Sequence, residues 1–353
     1  MNRLHVALVD RAAMQWSALG VAIQAPRERT VVDLEALIGL TAALGGVDAR
    51  VWEGSIAWCG VHGRSVNSAR LKRVVAEMGI ATDALAEFGA AARRAGAPPW
   101  PMAGRAERST PRGESRDDLV LARPARDGAR LLWLLRATFG VNARADIVAN
   151  LLARPGSSLT VLGLAHLTRF TKRNAAVALE DLVLSGVVER LGIGAVGRFR
   201  LRDRRGLLRW LDLPASVDYP DEVARYTIDL GVAAFLDTTT PSPRVQAIEA
   251  REVVTRLRPS IKGAGLLGQD LRVTGPAFAG AFDAWVDQLA GRLEHPVKVR
   301  LPPRASSPVG NPRSPASDRL RPGSATPPAS QRGLAGLRWM AAVSRMSALM
   351  FPN

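Results

Sequence analysis

Cysteine is nearly absent from this chain: Cys59 is the single one in 353 residues. With no second thiolate, an intramolecular disulfide or a Cys-rich zinc module is excluded, and a reducing cytoplasm is the expected location. Histidine is scarce as well. His5, His62, His166 and His295 stand at no metal-ligand spacing from one another, and Cys59 with His62 cannot close a tetrahedral site. Aromatic residues make up 5% of the chain, so the core must be built largely from Leu, Val and Ala, which suits packed helices better than a β-sandwich. No run of about 18 uncharged apolar residues occurs, so a membrane partner is not expected. The apolar stretch after Met1 is broken by Asp10 and Arg11 before a secretory segment could form.

Catalytic signatures are missing too. There is no G-x-x-x-x-G-K-[ST] phosphate loop and no G-x-S-x-G elbow. Gly263 to Gly268 has the letters G-x-G-x-x-G but follows no strand, so it reads as a turn. The acidic pairs Glu180 and Asp181, and Asp117 and Asp118, read as solvated charge rather than an acid/base couple. Neither an enzymatic activity nor a cofactor is expected.

What is abundant is positive charge. Lys and Arg number 48 against 32 Asp and Glu, a formal net charge of +16, which favours a polyanionic partner. The length suggests two or three domains, and 47% apolar residues suffice for a core.

The periodicity predicts a mainly α protein. Residues 1–96 read as an N-terminal helical domain of short capped helices. Asp33 caps a helix carrying Leu34, Leu37 and Leu40. Asp48 opens the next, stopped by Gly63. Ser65 is expected to cap a third, with Leu71, Val74 and Val75 inside and Arg64, Arg70, Lys72 and Arg73 facing solvent. Residues 97–129 form a Pro-rich linker, with Leu119 to Leu121 as a short strand in it. Residues 206–301 read as a C-terminal helical domain, with helices over 206–211, 222–236, 243–257 and 277–293. Residues 302–353 read as a disordered tail rich in Pro, Ser and Arg. Within it, 333–351 regains helical periodicity with Arg338 and Arg345 on one side. It is either a basic amphipathic anchor for anionic lipid or an unselected tail.

The most informative stretch is 143–201, within a domain expected over 130–205. A helix ending at Leu152 is stopped by Pro155 and Gly156, and Leu159 with Thr160 can form a minimal strand. A short helix over 161–167 follows, then a tight connection. Thr171 caps a third helix that buries Ala175, Ala178, Leu179 and Leu182 and exposes a cationic start. Beyond Gly186, a hairpin has Phe199 and Leu201 inward and Arg198, Arg200 and Arg202 outward.

These residues, above all the run TKRNAAVALEDLVLSGVVER, resemble the winged helix-turn-helix of bacterial transcription regulators. More loosely, residues 30–300 resemble a group of actinobacterial proteins of unassigned function that set such a module between two helical regions. The resemblance implies duplex DNA as partner. Lys172, Arg173 and Asn174 would enter the major groove, and Thr171 with its neighbouring amides would hold a phosphate. Arg198, Arg200 and Arg202 would follow the flanking backbone. The flanking helices would supply homodimerisation or effector sensing. Two features depart from the pattern: Arg169 stands where many such turns have Gly, and the wing tip, Ile193 to Val196, is uncharged. They keep open a protein-docking adaptor acting through Ile193, Val196 and Val177. An antitoxin-like partner of a nucleotide-transferring enzyme is a third reading.

Overall fold

The structure, a computed structural model, describes residues 2–26, 28–100, 128–192, 197–238, 242–266, 271 and 277–294. These residues form thirteen α-helices and three short strands. All lie in one packing unit, residues 1–296. The expected strand at 119–121 and the expected tail at 302–353 lie outside the described residues.

Helix α2 (Leu34–Leu44) is apolar around nearly its whole circumference and is therefore buried on all sides. It packs against α1 (Arg3–Ala18), α3 (Ala49–His62), α4 (Ser68–Glu77) and α5 (Thr82–Arg94). The same core takes in Val223, Tyr226, Ile228 and Val232 of α11 (Glu222–Leu236). It also takes in Val253, Val254 and Leu257 of α12 (Pro243–Gly263), and Phe278, Phe282 and Trp285 of α13 (Ala277–Glu294). The helices of segments 1–96 and 206–301, which the sequence separates into two domains, thus share one core. Two of its buried polar tips find partners within it: the Trp16 indole donates to Thr41 at 2.9 Å and the Tyr226 hydroxyl donates to Gln15 at 2.8 Å.

Between α5 and α11 the chain builds a second group of elements. Helices α6 (Leu131–Phe139) and α7 (Ala143–Leu152) lead to β1 (Leu159–Thr160), α8 (Val161–Thr168) and α9 (Lys172–Leu184). Strands β2 (Val188–Leu191) and β3 (Arg198–Leu201) follow, then α10 (Arg204–Trp210). The sheet order is β1-β3-β2, antiparallel throughout, with Leu159 opposite Phe199 and Val188 opposite Leu201. Ile147, Val148, Leu164, Leu179, Leu182 and Val188 are buried in this region.

The sequence reading differs from the structure at several points. The first helix starts at Arg3, and it buries Arg11 in ion pairs with Glu28 and, at 2.9 Å, Glu222. Asn67 rather than Ser65 caps α4, by accepting from the Arg70 amide. Helix α12 runs through Pro259 to Gly263, past the expected end at Leu257, because Ile261 is wholly buried and holds the last turn on the core.

The largest difference is Arg70. Expected in solvent, it is 1% exposed and joins a buried cluster with Asp33, Glu35, Arg136 and Asp146. Its guanidinium donates to both Asp33 oxygens at 2.6 and 2.5 Å and to Glu35 at 2.5 Å. Arg136 bridges Glu35 at 2.7 and 2.8 Å and Asp146 at 3.1 Å. Burial opposes ionisation of Asp33, but the Arg70 charge and hydrogen bonds outweigh it and bring its pKa down to about 2. Glu35 is likewise lowered against its burial by Arg136 and Arg70, whereas burial dominates at Asp146 and raises it. Removing one member of such a cluster leaves its partners as uncompensated buried charge. Arg70→Ala should therefore cost about 3–5 kcal/mol in urea unfolding, with Asp33 stranded and Glu35 left to Arg136 alone.

A second buried acid gives a pH dependence. Asp229, 4% exposed on α11, is pushed up by burial from its ordinary 3.8 to about 8, with Glu222 adding to the rise and Arg225 and Arg292 opposing it. Between those two values the folded chain keeps a proton that the unfolded chain has released, so this carboxyl's contribution to stability is lost as pH rises through that window. Asp229→Asn should remove that loss. The Tm gap between variant and parent is expected to widen in the variant's favour from pH 5 to pH 8, measured by calorimetry.

Candidate nucleic-acid interface

The start of α9 is set by a side-chain cap. Thr171 is extended at φ −64°, ψ 152°, and its hydroxyl accepts the Asn174 amide at 3.2 Å. Helical spacing then turns Ala175, Ala178, Leu179 and Leu182 inward onto α7 and α8. Thr171, Lys172, Arg173 and Asn174 are all exposed. Among the described residues, Lys172 and Arg173 make no ion pair, so two cations face solvent beside the positive end of the helix dipole. Farther along α9, Glu180 and Asp181 are exposed, and Asp181 faces Arg144 at 3.7 Å. Positive potential is thus confined to the first turn.

The hairpin carries the other three candidates. Strand alternation buries Phe199 and leaves Arg198, Arg200 and Arg202 exposed. Arg200 pairs with Glu189, its cross-strand partner. Arg198 donates to the Ser158 hydroxyl at 2.9 Å and the Ser158 carbonyl at 2.6 Å, which fixes its guanidinium near the start of β1. Arg202 makes no ion pair among the described residues. The two groups of candidates belong to packed neighbours, since α9 rests on β2. Ile193 and Val196 lie outside the described residues.

The turn that aims α9 was only half legible. Arg169 adopts the left-handed conformation, φ 55°, ψ 27°, which the sequence flags as the unfavourable option for a residue with a Cβ. Its side chain, far from waiting in solvent, is 8% exposed and clamped. It donates to Glu77 of α4 at 2.9 and 3.2 Å and to Asp221, the cap of α11, at 3.0 Å. Burial alone would lower its pKa, but these carboxylates raise it. The backbone of the turn is gripped as well: the Arg169 carbonyl accepts from Arg73 at 2.6 Å and the Thr168 carbonyl accepts from Arg70 at 2.8 Å. Arg73 also stacks over Phe170, 5.4 Å from the ring centre. A small cleft of about 10 Å³ borders the clamp, lined by Asp33, Asn150, Arg154, Arg169, Tyr219 and Asp221.

The remaining chemistry is sparse. Cys59 is buried and its thiol pushed up by burial, which makes it a poor nucleophile. Among the described residues no group of three His, Cys, Asp or Glu could hold a metal ion, and no helix is long and apolar enough to cross a membrane.

The clamp and the strained turn can be separated by substitution. Arg169→Gly and Arg169→Ala both lose the pairs with Glu77 and Asp221, but only alanine carries a Cβ into the left-handed region. The alanine variant should be less stable than the glycine variant by about 1 kcal/mol. Equal urea midpoints would mean that the turn relaxes once its anchor is gone.

Compared with known proteins, the chain matches no family model, no curated protein and no solved structure.

Proposed function

We propose that elements α7 to β3 act as a winged helix-turn-helix that binds duplex DNA, making the protein a cytoplasmic transcription regulator. The observation that carries this reading is the exposed, capped and cationic first turn of α9. Lys172, Arg173 and Asn174 are exposed there, and the two cations make no ion pair among the described residues. Arg173 suits guanine and Asn174 suits adenine, each by paired hydrogen bonds at a base edge. Thr171 and the adjacent amides suit a phosphate, and Lys172 suits the backbone beside it. Glu180 and Asp181 would repel phosphates, so the contact is limited to the first turn of α9, with a groove wall met by the hairpin. Of the hairpin arginines, Arg202 is ready for a phosphate, Arg198 is already oriented by Ser158, and Arg200 would exchange Glu189 for one.

A second reading has its own observation. Leu162, Val177 and Leu184 are 66%, 52% and 90% exposed on α8 and α9, which suits an apolar partner surface and hence a docking adaptor. The two readings differ in their response to salt. With about six phosphate contacts, log affinity against log salt should slope near −5, whereas apolar docking would be nearly flat. Fluorescence anisotropy on a random duplex supplies that slope. Duplex selection from a random pool followed by Arg173→Ala should show relaxed discrimination, while Arg202→Ala should weaken all duplexes alike. Undetectable binding at low salt removes the DNA reading.

A further inference from the structure

Helix α12 carries a cationic face that the reading above does not use. Positions 244, 248, 251, 255, 258 and 262 are all exposed: Arg244, Ile248, Arg251, Thr255, Arg258 and Lys262. At 3.6 residues per turn they fall within an arc of roughly 80°, a stripe about 27 Å long. The opposite side of the helix is fixed on the core by Ala250, Val253, Val254, Leu257 and Ile261, all buried, so the stripe cannot rotate inward. It contains no acid; Glu249 and Glu252 lie on the other flank of the exposed surface. Arg251 is seated over the Phe278 ring, 4.9 Å from its centre. Arg244, Arg258 and Lys262 make no ion pair among the described residues. Arg258 and Lys262 are moreover four apart, a like-charge spacing that disfavours the helix unless an anion lies between them.

We infer that this stripe is a second polyanion-binding surface, built on the helical body, whose occupant is the phosphodiester backbone of duplex DNA. Its length matches roughly eight base pairs of duplex, and the arrangement is one of charge without base-reading groups, so its contribution is affinity without sequence preference. A membrane surface fits less well, because Ile248 is the only apolar side chain in the arc and a lipid-bound helix needs an apolar face to insert. The choice of duplex DNA as occupant rests on the reading of α9; the stripe itself does not.

The test uses the full chain and a triple variant, Arg244→Gln, Arg258→Gln, Lys262→Gln, leaving Arg251 on its ring. These side chains are exposed, so far-UV circular dichroism should match the parent. Binding to a random fluorescent 30-base-pair duplex is followed over a salt series, with Lys172→Gln, Arg173→Gln as a parallel variant. At about 0.9 per phosphate, the triple variant should flatten the log–log slope by about 2.7 and weaken low-salt binding about tenfold or more. An unchanged slope in the triple variant overturns the inference, and if the α9 variant still flattens it, the reading of α9 survives alone. A change in the triple variant with none in the α9 variant supports the stripe and removes the α9 reading. Vesicles of phosphatidylserine are the other arm: vesicle binding that the triple variant abolishes, with the duplex slope intact, overturns the inference in favour of lipid.

Discussion

Two guanidiniums and three carboxyls lie buried in the interior, and the mutual position of the four helices that carry them is tied to that fact. Asp33 and Glu35 sit at the start of α2, the most apolar helix of the molecule, and cannot be ionised there without close cations. Arg70 of α4 and Arg136 of α6 supply them, and Arg136 reaches on to Asp146 of α7. Because charge-assisted hydrogen bonds tolerate little misalignment, four helices from both groups of elements are held in one mutual arrangement. The same Arg70 donates to the carbonyl of Thr168, immediately before the left-handed turn. The aim of α9 is therefore a consequence of charge burial far from its own surface.

That coupling makes sense of Arg169. A non-glycine residue in the left-handed region is a local penalty, tolerated only when the surroundings over-determine it. Here they do: its side chain ties α4 to the cap of α11, and its carbonyl takes a hydrogen bond from Arg73. A glycine would relieve the backbone and keep the carbonyl that Arg73 meets, but supply neither of the side-chain ties to Glu77 and Asp221. The departure from the usual turn is thus a means of fastening the α8 to α9 connection to the helical body, which in an isolated module would have nothing to fasten to.

Local rules account for what could be read from the sequence. Caps at Asp33, Asp48 and Thr171, breakers at Gly63 and Pro155, and period-two alternation over 198–202 depend on residues within a few positions of one another, and the elements of 143–201 appear where they were expected within one or two residues. What stayed hidden depends on partners distant in the chain. Arg70 looks like one cation among three on α4, and the usual exposure of arginine assigns it to solvent. Only the acids at 33, 35 and 146 bring it inside. Asp33 read correctly as a cap, but a cap position says nothing of the guanidinium against its second oxygen. Apolar stripes likewise disclose which side of a helix is buried and not which helix buries it, so the common core of the first and last helical segments was invisible. Arg169 is the intermediate case: an arginine in a glycine's place signals a constraint, although not the carboxylates that meet it.

The excess charge takes on a different meaning once its location is known. Arg11, Arg70, Arg136 and Arg169 are all buried against carboxylates. Their fields are cancelled at close range, and they exert almost no pull on a molecule in solution. A net charge of +16 counts them equally with every other cation and so says little about where an anion would go. What remains for long-range attraction is the set of cations that the fold leaves in water without a counter-charge. Among the described residues they include those at the first turn of α9 and along α12. One is presented by a capped helix end with the Asn174 amide beside it, and the other by a helix flank with no such group. Orientation and polar chemistry, more than the amount of charge, are what would let one surface discriminate while the other merely attracts.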